Sequence, residues 1–173
     1  RIGLDGNGME RLTQRDGVHS VYFNQNGGYF LDASSALDRP TSLTVNSRDG
    51  DEVSTITAGA GEIPRRFDMQ PWDLFTINAR DGFEMPAMML KPRFFDPQTR
   101  YPVVMYVYGG PSAPTVANAW QGGSRGYYHQ RLADSGVIVF YVDNRSAAGK
   151  SKIDANTIVN QLYGPVELND LLD

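Results

Sequence analysis

The sequence predicts two kinds of sheet in succession: antiparallel, all-β material first, then the opening of an α/β sheet. Three observations predict it. Up to about residue 57, turn signals recur every ten to twenty residues between short runs rich in β-branched and aromatic residues. After Pro102, two apolar runs at residues 103–108 and 137–142 are continuous instead of alternating, the pattern of strands covered on both faces. Between those runs lies a segment of helical spacing, and strand, helix, strand in that order suggest a right-handed crossover.

Each element has its own justification. Asp5-Gly6 and Asn7-Gly8 mark a tight turn after residues 1–4. Ser20-Val21-Tyr22-Phe23, the turn Asn26-Gly27-Gly28 and Tyr29-Phe30-Leu31 read as a hairpin. After Pro40 come residues 42–45, the turn Asp49-Gly50 and residues 52–57. Such short strands are marginal alone, so they are expected to pack onto further sheet. Residues 58–64, Ala-Gly-Ala-Gly-Glu-Ile-Pro, are a linker by composition. A second hairpin follows, residues 74–78 and 85–90 flanking Arg80-Asp81-Gly82, and Pro92 and Pro97 then break the chain. The run at 103–108 ends in Gly109-Gly110-Pro111. Residues 127–135 read as a short helix, because Tyr128 and Leu132 are spaced i, i+4 and Gly136 stands where a C-cap belongs. The run at 137–142 ends in Asp143-Asn144-Arg145. Residues 153–162 make only a weak helix, given Asp154, Asn156, Thr157 and Asn160. Pro165 suits the first position of a last helix, where Glu167 favours the positive end.

Composition narrows the function classes. The 173 residues are 40% hydrophobic and 21% charged, which excludes a fully disordered chain. Eighteen Gly and ten Pro without a period exclude a collagen-like or low-complexity chain. Sixteen Lys and Arg against 20 Asp and Glu give a net charge of -4 with no basic patch, so no nucleic-acid partner is expected. The longest apolar runs have six residues, where a membrane span needs about 20. With no cysteine, disulfides and thiolate metal sites are excluded. No H-E-x-x-H, His cluster or paired-carboxylate site occurs, and neither a metal nor a cofactor is expected. The chain opens at Arg1 without Met or an apolar leader and closes like the first turns of a helix; both ends are expected to be cuts in a longer chain.

Two loops carry candidate chemistry. Tyr108-Gly109-Gly110-Pro111 lies at the carboxyl end of a buried-type strand, where open α/β sheets place their ligand crevice. In α/β-hydrolases this loop supplies oxyanion-hole donors, glycines admit close backbone approach, and a Tyr hydroxyl is a competent donor. On the residues alone the plainer reading leads: a strand ending in a turn, with Tyr108 a half-buried aromatic. The second loop, Asn144-Arg145-Ser146-Ala147-Ala148-Gly149-Lys150-Ser151, ends like a phosphate-binding loop, but that motif needs Gly where Asn144 stands. The plain reading is a surface loop with a solvated Lys150. His19 and His129 have no spaced metal partner near them in sequence, and structural or surface roles are expected for both. Ser112 follows the first loop without a nucleophile elbow.

Taken together, these segments resemble a known family. Tyr101-Pro102 through Pro111 resembles the start of the catalytic domain in the prolyl oligopeptidase family, closest to its dipeptidyl peptidase IV branch. Residues 137–145 look like that branch's strand followed by Asp-Asn-Arg. Gly164-Pro165-Val166-Glu167-Leu168-Asn169-Asp170 looks like its Gly-x-x-Glu-x-x-Asp helix start. Leu4-Asp5-Gly6, Arg11-Leu12-Thr13 and Gly17-Val18-His19-Ser20 resemble the last blade of its β-propeller. The resemblance implies the end of a β-propeller over residues 1–64 and the N-terminal part of an α/β-hydrolase sheet over 65–173. It implies a serine peptidase that releases N-terminal X-Pro or X-Ala dipeptides from peptide substrates by acyl transfer. Tyr108 stands at the family's oxyanion-hole Tyr. The family's Ser, Asp and His lie further along its chain, so these 173 residues by themselves are expected to be inactive. Family members are often dimers, so a homodimeric parent is among the expectations. One departure stands out: Ser146-Ala147-Ala148 replaces the Gly-Ser-Gly that many relatives carry after Asn-Arg. Alternatives left open are another peptidase of the same superfamily, of prolyl endopeptidase or acylaminoacyl peptidase type, and a non-catalytic binding or nucleotide-binding module.

Overall fold

Period-two burial organises the first part of the chain. In this computed structural model, which describes residues 1–59, 66–111, 113–147, 149–161 and 164–172, four strands pair in chain order: β1 (Val18–Phe23), β2 (Tyr29–Ala36), β3 (Arg39–Ser47) and β4 (Glu52–Thr57), all antiparallel. Every second residue of β2 and β3 is buried, as a pleated sheet with one covered face requires. That face is mostly polar: Asp32, Ser34, Ser42, Thr44 and Asn46 are buried on it. Its groups satisfy one another, as buried polar groups must. Asn46 Nδ2 donates to Thr44 Oγ1 at 2.9 Å, and the Arg39 guanidinium donates to both Ser34 and Ser42. Pro40 sits inside β3 beyond the reach of β4, which pairs only with Leu43–Asn46, and at the irregular stretch of the β2 pairing between Ser34 and Ala36, where a missing N–H is tolerated. Residues 1–4 form no strand. They belong to a loop closed by Glu10 N donating to Arg1 O and Gly3 N to Asn7 O, each at 2.8 Å. Of the linker read at 58–64, residues 60–64 lie outside the described residues.

The chain divides into two compact units, Arg1–Asp68 with Asn118–Gln121 and Met69–Ala117 with Gly122–Asp173. In the first unit Asn118 Oδ1 accepts from Leu37 N at 3.0 Å and Trp120 N donates to Ser35 Oγ at 3.2 Å.

The second unit holds a mixed sheet in the order β5 (Trp72–Asn78), β6 (Glu84–Leu90), β8 (Ile138–Val142), β7 (Val103–Tyr106). β5, β6 and β8 are antiparallel neighbours; β7 and β8 run parallel, as the strand–helix–strand order predicts. Between them lies α1 (Gly123–Asp134), which buries Gly126, His129, Gln130 and Ala133. It begins four residues before the predicted start, because a first turn of Gly and Ser carries little helical signal. Two further short helices close the chain: α2 (Lys152–Ala155) with a 3₁₀ turn Asn156–Ile158, and α3 (Pro165–Leu172). The core centres on β6 and β8, where Ala87, Met88, Leu90 and Val139 are fully buried. β7 corrects the expectation of a strand covered on both faces and running to residue 108. It ends at Tyr106, and Val103, Val104 and Met105 are exposed, because β7 is the sheet's outer strand here. Among the described residues no helix is long and apolar enough to cross a membrane.

Candidate active site

The candidate site grows from one parallel strand pair. Tyr106 pairs with Tyr141, so β7 and β8 run out together at their carboxyl ends, the edge where α/β sheets bind ligands. Beyond β7 the chain passes Tyr108 and turns at Gly109, whose φ of 73° lies in the left-handed region. Gly110 is buried, and a Cβ there would stand 2.7 Å from Tyr108 Cε1. The second glycine is therefore what lets the Tyr108 ring fold back over its own loop. The ring is exposed to 64%, not half-buried. Tyr108 thus stands exposed on a glycine loop at the sheet edge. Ser112 lies outside the described residues.

Asp143-Asn144-Arg145 leaves β8 at the same edge and ties three loops together. Asp143 is buried, its backbone N donating to Pro86 O at 3.0 Å. Its carboxylate accepts from Thr115 N, Thr115 Oγ1 and Val116 N at 2.7 to 2.9 Å. Asn144 is fully buried and its Nδ2 donates to Ser146 Oγ at 2.8 Å. Arg145 forks onto Asp170 of α3, with Nε and Nη2 at 2.9 and 2.7 Å, while its own backbone N donates to the same carboxylate at 2.8 Å. Nη1 pairs with Asp81 at 2.8 Å, and the guanidinium stands 5.0 Å over the Phe83 ring. Hydrogen bonds to Asp170 and Asp81 raise the Arg145 pKa, and Arg145 in turn holds the Asp81 carboxyl below its ordinary value. Such a bidentate fork fixes direction as well as charge. It fastens α3 through Asp170, and at the start of that helix Glu167 Oε2 accepts from Gly164 N at 3.1 Å.

The other predicted residues fall elsewhere. Lys150 is exposed, as a surface loop requires, but its ammonium is also engaged: Nζ donates to Glu84 O at 2.6 Å and sits 5.3 Å over Phe83. Ser151 caps α2, its Oγ accepting from Asp154 N at 3.0 Å. The Gly-Lys-Ser sequence is thus engaged in structure, with its ammonium committed to a backbone carbonyl. His19 pairs through Nδ1 with Asp32 at 2.8 Å, and its Nε2 lies 2.9 Å from Arg15 O. His129 lies buried beside Tyr141, Nδ1 at 3.0 Å from the hydroxyl. Burial, with Arg125 adding to it, lowers the His129 pKa; burial pushes the Tyr141 phenol up to about 12. Among the described residues no group of three or more His, Asp and Glu could hold a metal ion. Sequence reasoning placed Tyr108 on its loop but missed the clamp made by Asp143. The only sequence signal for it is an acid directly after an apolar strand.

No protein-family model matches the chain. Individual relatives do. Human dipeptidyl peptidase 8 is 27% identical over 175 residues, 95% of this chain and 19% of that protein. Dipeptidyl-aminopeptidase B of Aspergillus niger is 30% identical over 177 residues, 98% of this chain and 19% of the relative. Among solved structures, a Bacteroides ovatus protein described as a dipeptidyl aminopeptidase IV matches with a TM-score of 0.81 at 30% identity, covering 91% of this chain and 22% of that one. The chain thus spans about a fifth of the length of its relatives. Similarity along nearly its whole length, in sequence and in fold, places the chain in the dipeptidyl peptidase IV branch of the prolyl oligopeptidase family.

Proposed function

We propose that this chain is part of a serine-type dipeptidyl peptidase that releases N-terminal X-Pro or X-Ala dipeptides. In this reading residues 1–64 end a β-propeller, and residues 65–173 open the α/β-hydrolase domain. Tyr108 is the oxyanion donor. One observation carries the reading: Tyr108 stands exposed on a glycine loop at the carboxyl edge of a parallel strand pair, in a chain that resembles dipeptidyl peptidases along nearly its whole length.

The chemistry asked of this chain is narrow. A serine supplied by the rest of the enzyme attacks the scissile carbonyl, with a histidine as base. Negative charge then gathers on the carbonyl oxygen. A phenol hydroxyl aimed at that oxygen binds it most strongly when the charge is complete, so it lowers the barrier more than it improves substrate binding.

The test is Tyr108→Phe in the complete enzyme, which keeps the ring and removes the hydroxyl. Loss of one oxyanion donor is expected to lower kcat by about 10²–10³, roughly 2.7–4 kcal/mol, with little change in KM. A kcat within about twofold of wild type, only about 0.4 kcal/mol, overturns the role and leaves Tyr108 as a surface aromatic.

A further inference from the structure

We propose that Asp143 is a positioning residue for the oxyanion loop: it pins the chain that follows Tyr108, and through it sets where the Tyr108 hydroxyl stands. The inference rests on the oxyanion reading of Tyr108 and adds a residue on the neighbouring strand that makes no contact with substrate.

Three features carry it. First, register. β7 and β8 are parallel with Tyr106 opposite Tyr141, so Tyr108 and Asp143 leave neighbouring strands at the same level of the sheet. Second, anchorage. The Tyr108 loop turns through the left-handed Gly109, carries an exposed ring, and lies beyond the last residue of β7. The strand ladder therefore does not hold it. The contact that holds its far side is the Asp143 carboxylate. Oδ1 accepts from Thr115 N at 2.9 Å and Thr115 Oγ1 at 2.7 Å; Oδ2 accepts from Thr115 N at 2.9 Å and Val116 N at 2.8 Å. Third, rigidity. Asp143 is only 2% exposed and its own backbone N is bonded to Pro86 O on central strand β6. The far end of the loop is thus fastened to a buried residue that is itself bonded to a central strand of the sheet. Carboxylate bonds to backbone N–H groups are among the stronger ones in proteins, and neutral isosteres cannot copy them. An Asn here turns one acceptor into a donor that faces a backbone N–H.

The role differs from plain stabilisation in what it predicts. A donor displaced by about an ångström loses much of its effect on the barrier. Asp143→Asn in the complete enzyme is therefore expected to lower kcat about 10- to 100-fold with KM nearly unchanged. The decisive measurement is a double-mutant cycle with Tyr108→Phe. If Asp143 works through the Tyr108 hydroxyl, it has little left to lose once that hydroxyl is gone, and the double variant matches Tyr108→Phe alone. A loss of folded enzyme would instead scale kcat by the same factor in both backgrounds. Thr115→Val is the gentler companion should Asp143→Asn fail to fold. It removes one hydroxyl donor to Asp143 and keeps both backbone bonds, so it is expected to show a smaller drop in kcat that likewise vanishes in the Tyr108→Phe background.

Wild-type kcat in Asp143→Asn overturns the inference, as does an equal factor in both backgrounds; in either case a low kcat for Tyr108→Phe leaves the oxyanion reading standing. If Asp143→Asn does not fold, wild-type kcat in Thr115→Val overturns it in the same way. A normal kcat in Tyr108→Phe removes the oxyanion reading and this inference with it.

Discussion

His129 is buried beside Tyr141, with Trp72 and Tyr106 rings 6.3 and 6.1 Å away and the Tyr141 hydroxyl 3.0 Å from Nδ1. In this place the neutral ring is the useful form, because its Nδ1 then accepts the phenol proton. Burial lowers the His129 pKa below the ordinary 6.5. The sign follows. Above pH 6.5 the ring is neutral folded and unfolded, and its contribution is fully present. Below 6.5 the unfolded chain takes up the proton first, so stability falls as pH drops toward the lowered folded value. Urea midpoints of the complete protein should therefore be lower at pH 5.5 than at pH 7.5, and His129→Gln should shrink that difference. An unchanged difference in the variant would show that other groups carry it. The sequence marks His129 as structural by the absence of chemical partners. The burial that lowers its pKa comes from tertiary neighbours, the Trp72, Tyr106 and Tyr141 rings.

At the scale of elements, β6 is the pivot of the second unit. It is paired on one edge by β5 and on the other by β8, and Leu90 on it is fully buried. Leu90→Ala leaves a cavity that neighbours held by two ladders cannot fill, and is expected to cost about 2–5 kcal/mol. Chemical denaturation of wild type and variant reads this directly, and a cost under about 1 kcal/mol would mean that the strand relaxes around the gap. The contrast with β7 is instructive. Residues 103–106 are the more hydrophobic run, yet Val103, Val104 and Met105 are exposed, because β7 lies at the outer edge of the sheet. Hydrophobicity records where a strand belongs, whereas burial depends on which neighbours are there. α3 shows the reverse case. Its start is legible from Pro165 and Glu167, but Asp170 gains its role only when Arg145, from the end of β8, forks onto it.

For the whole molecule, one oxyanion donor is not a peptidase. The one G-x-S-x-G spacing, Gly122-Gly123-Ser124-Arg125-Gly126, opens α1 with no described strand leading directly into it, so it is not a strand-to-helix nucleophile elbow. Catalysis that survives without a nucleophile and its base is weak even in an otherwise intact enzyme. The purified chain is expected to release no chromophore from a Gly-Pro amide above a heat-killed control. Activity that persists through re-purification would reveal a nucleophile among these residues.

The sequence by itself determined where the strands of both sheets lie, although β2 runs on to Ala36, beyond the predicted end at Leu31, and β7 stops two residues short of Tyr108. It also determined the parallel β7–β8 pair, the placing of Tyr108 at that carboxyl edge, and the family. These are carried by local signals: periodicity, turn residues, glycines at tight bends and motifs read in order. It did not determine that β7 stands at an edge, that Lys150 folds onto Glu84, or that the covered face of β2 and β3 is polar. Nor did it reveal that Asp143 clamps the loop beyond Tyr108. Each of those depends on a partner distant in the chain. A side chain's solvation and hydrogen bonds are fixed by whichever surface is folded against it, and only the tertiary structure supplies that surface.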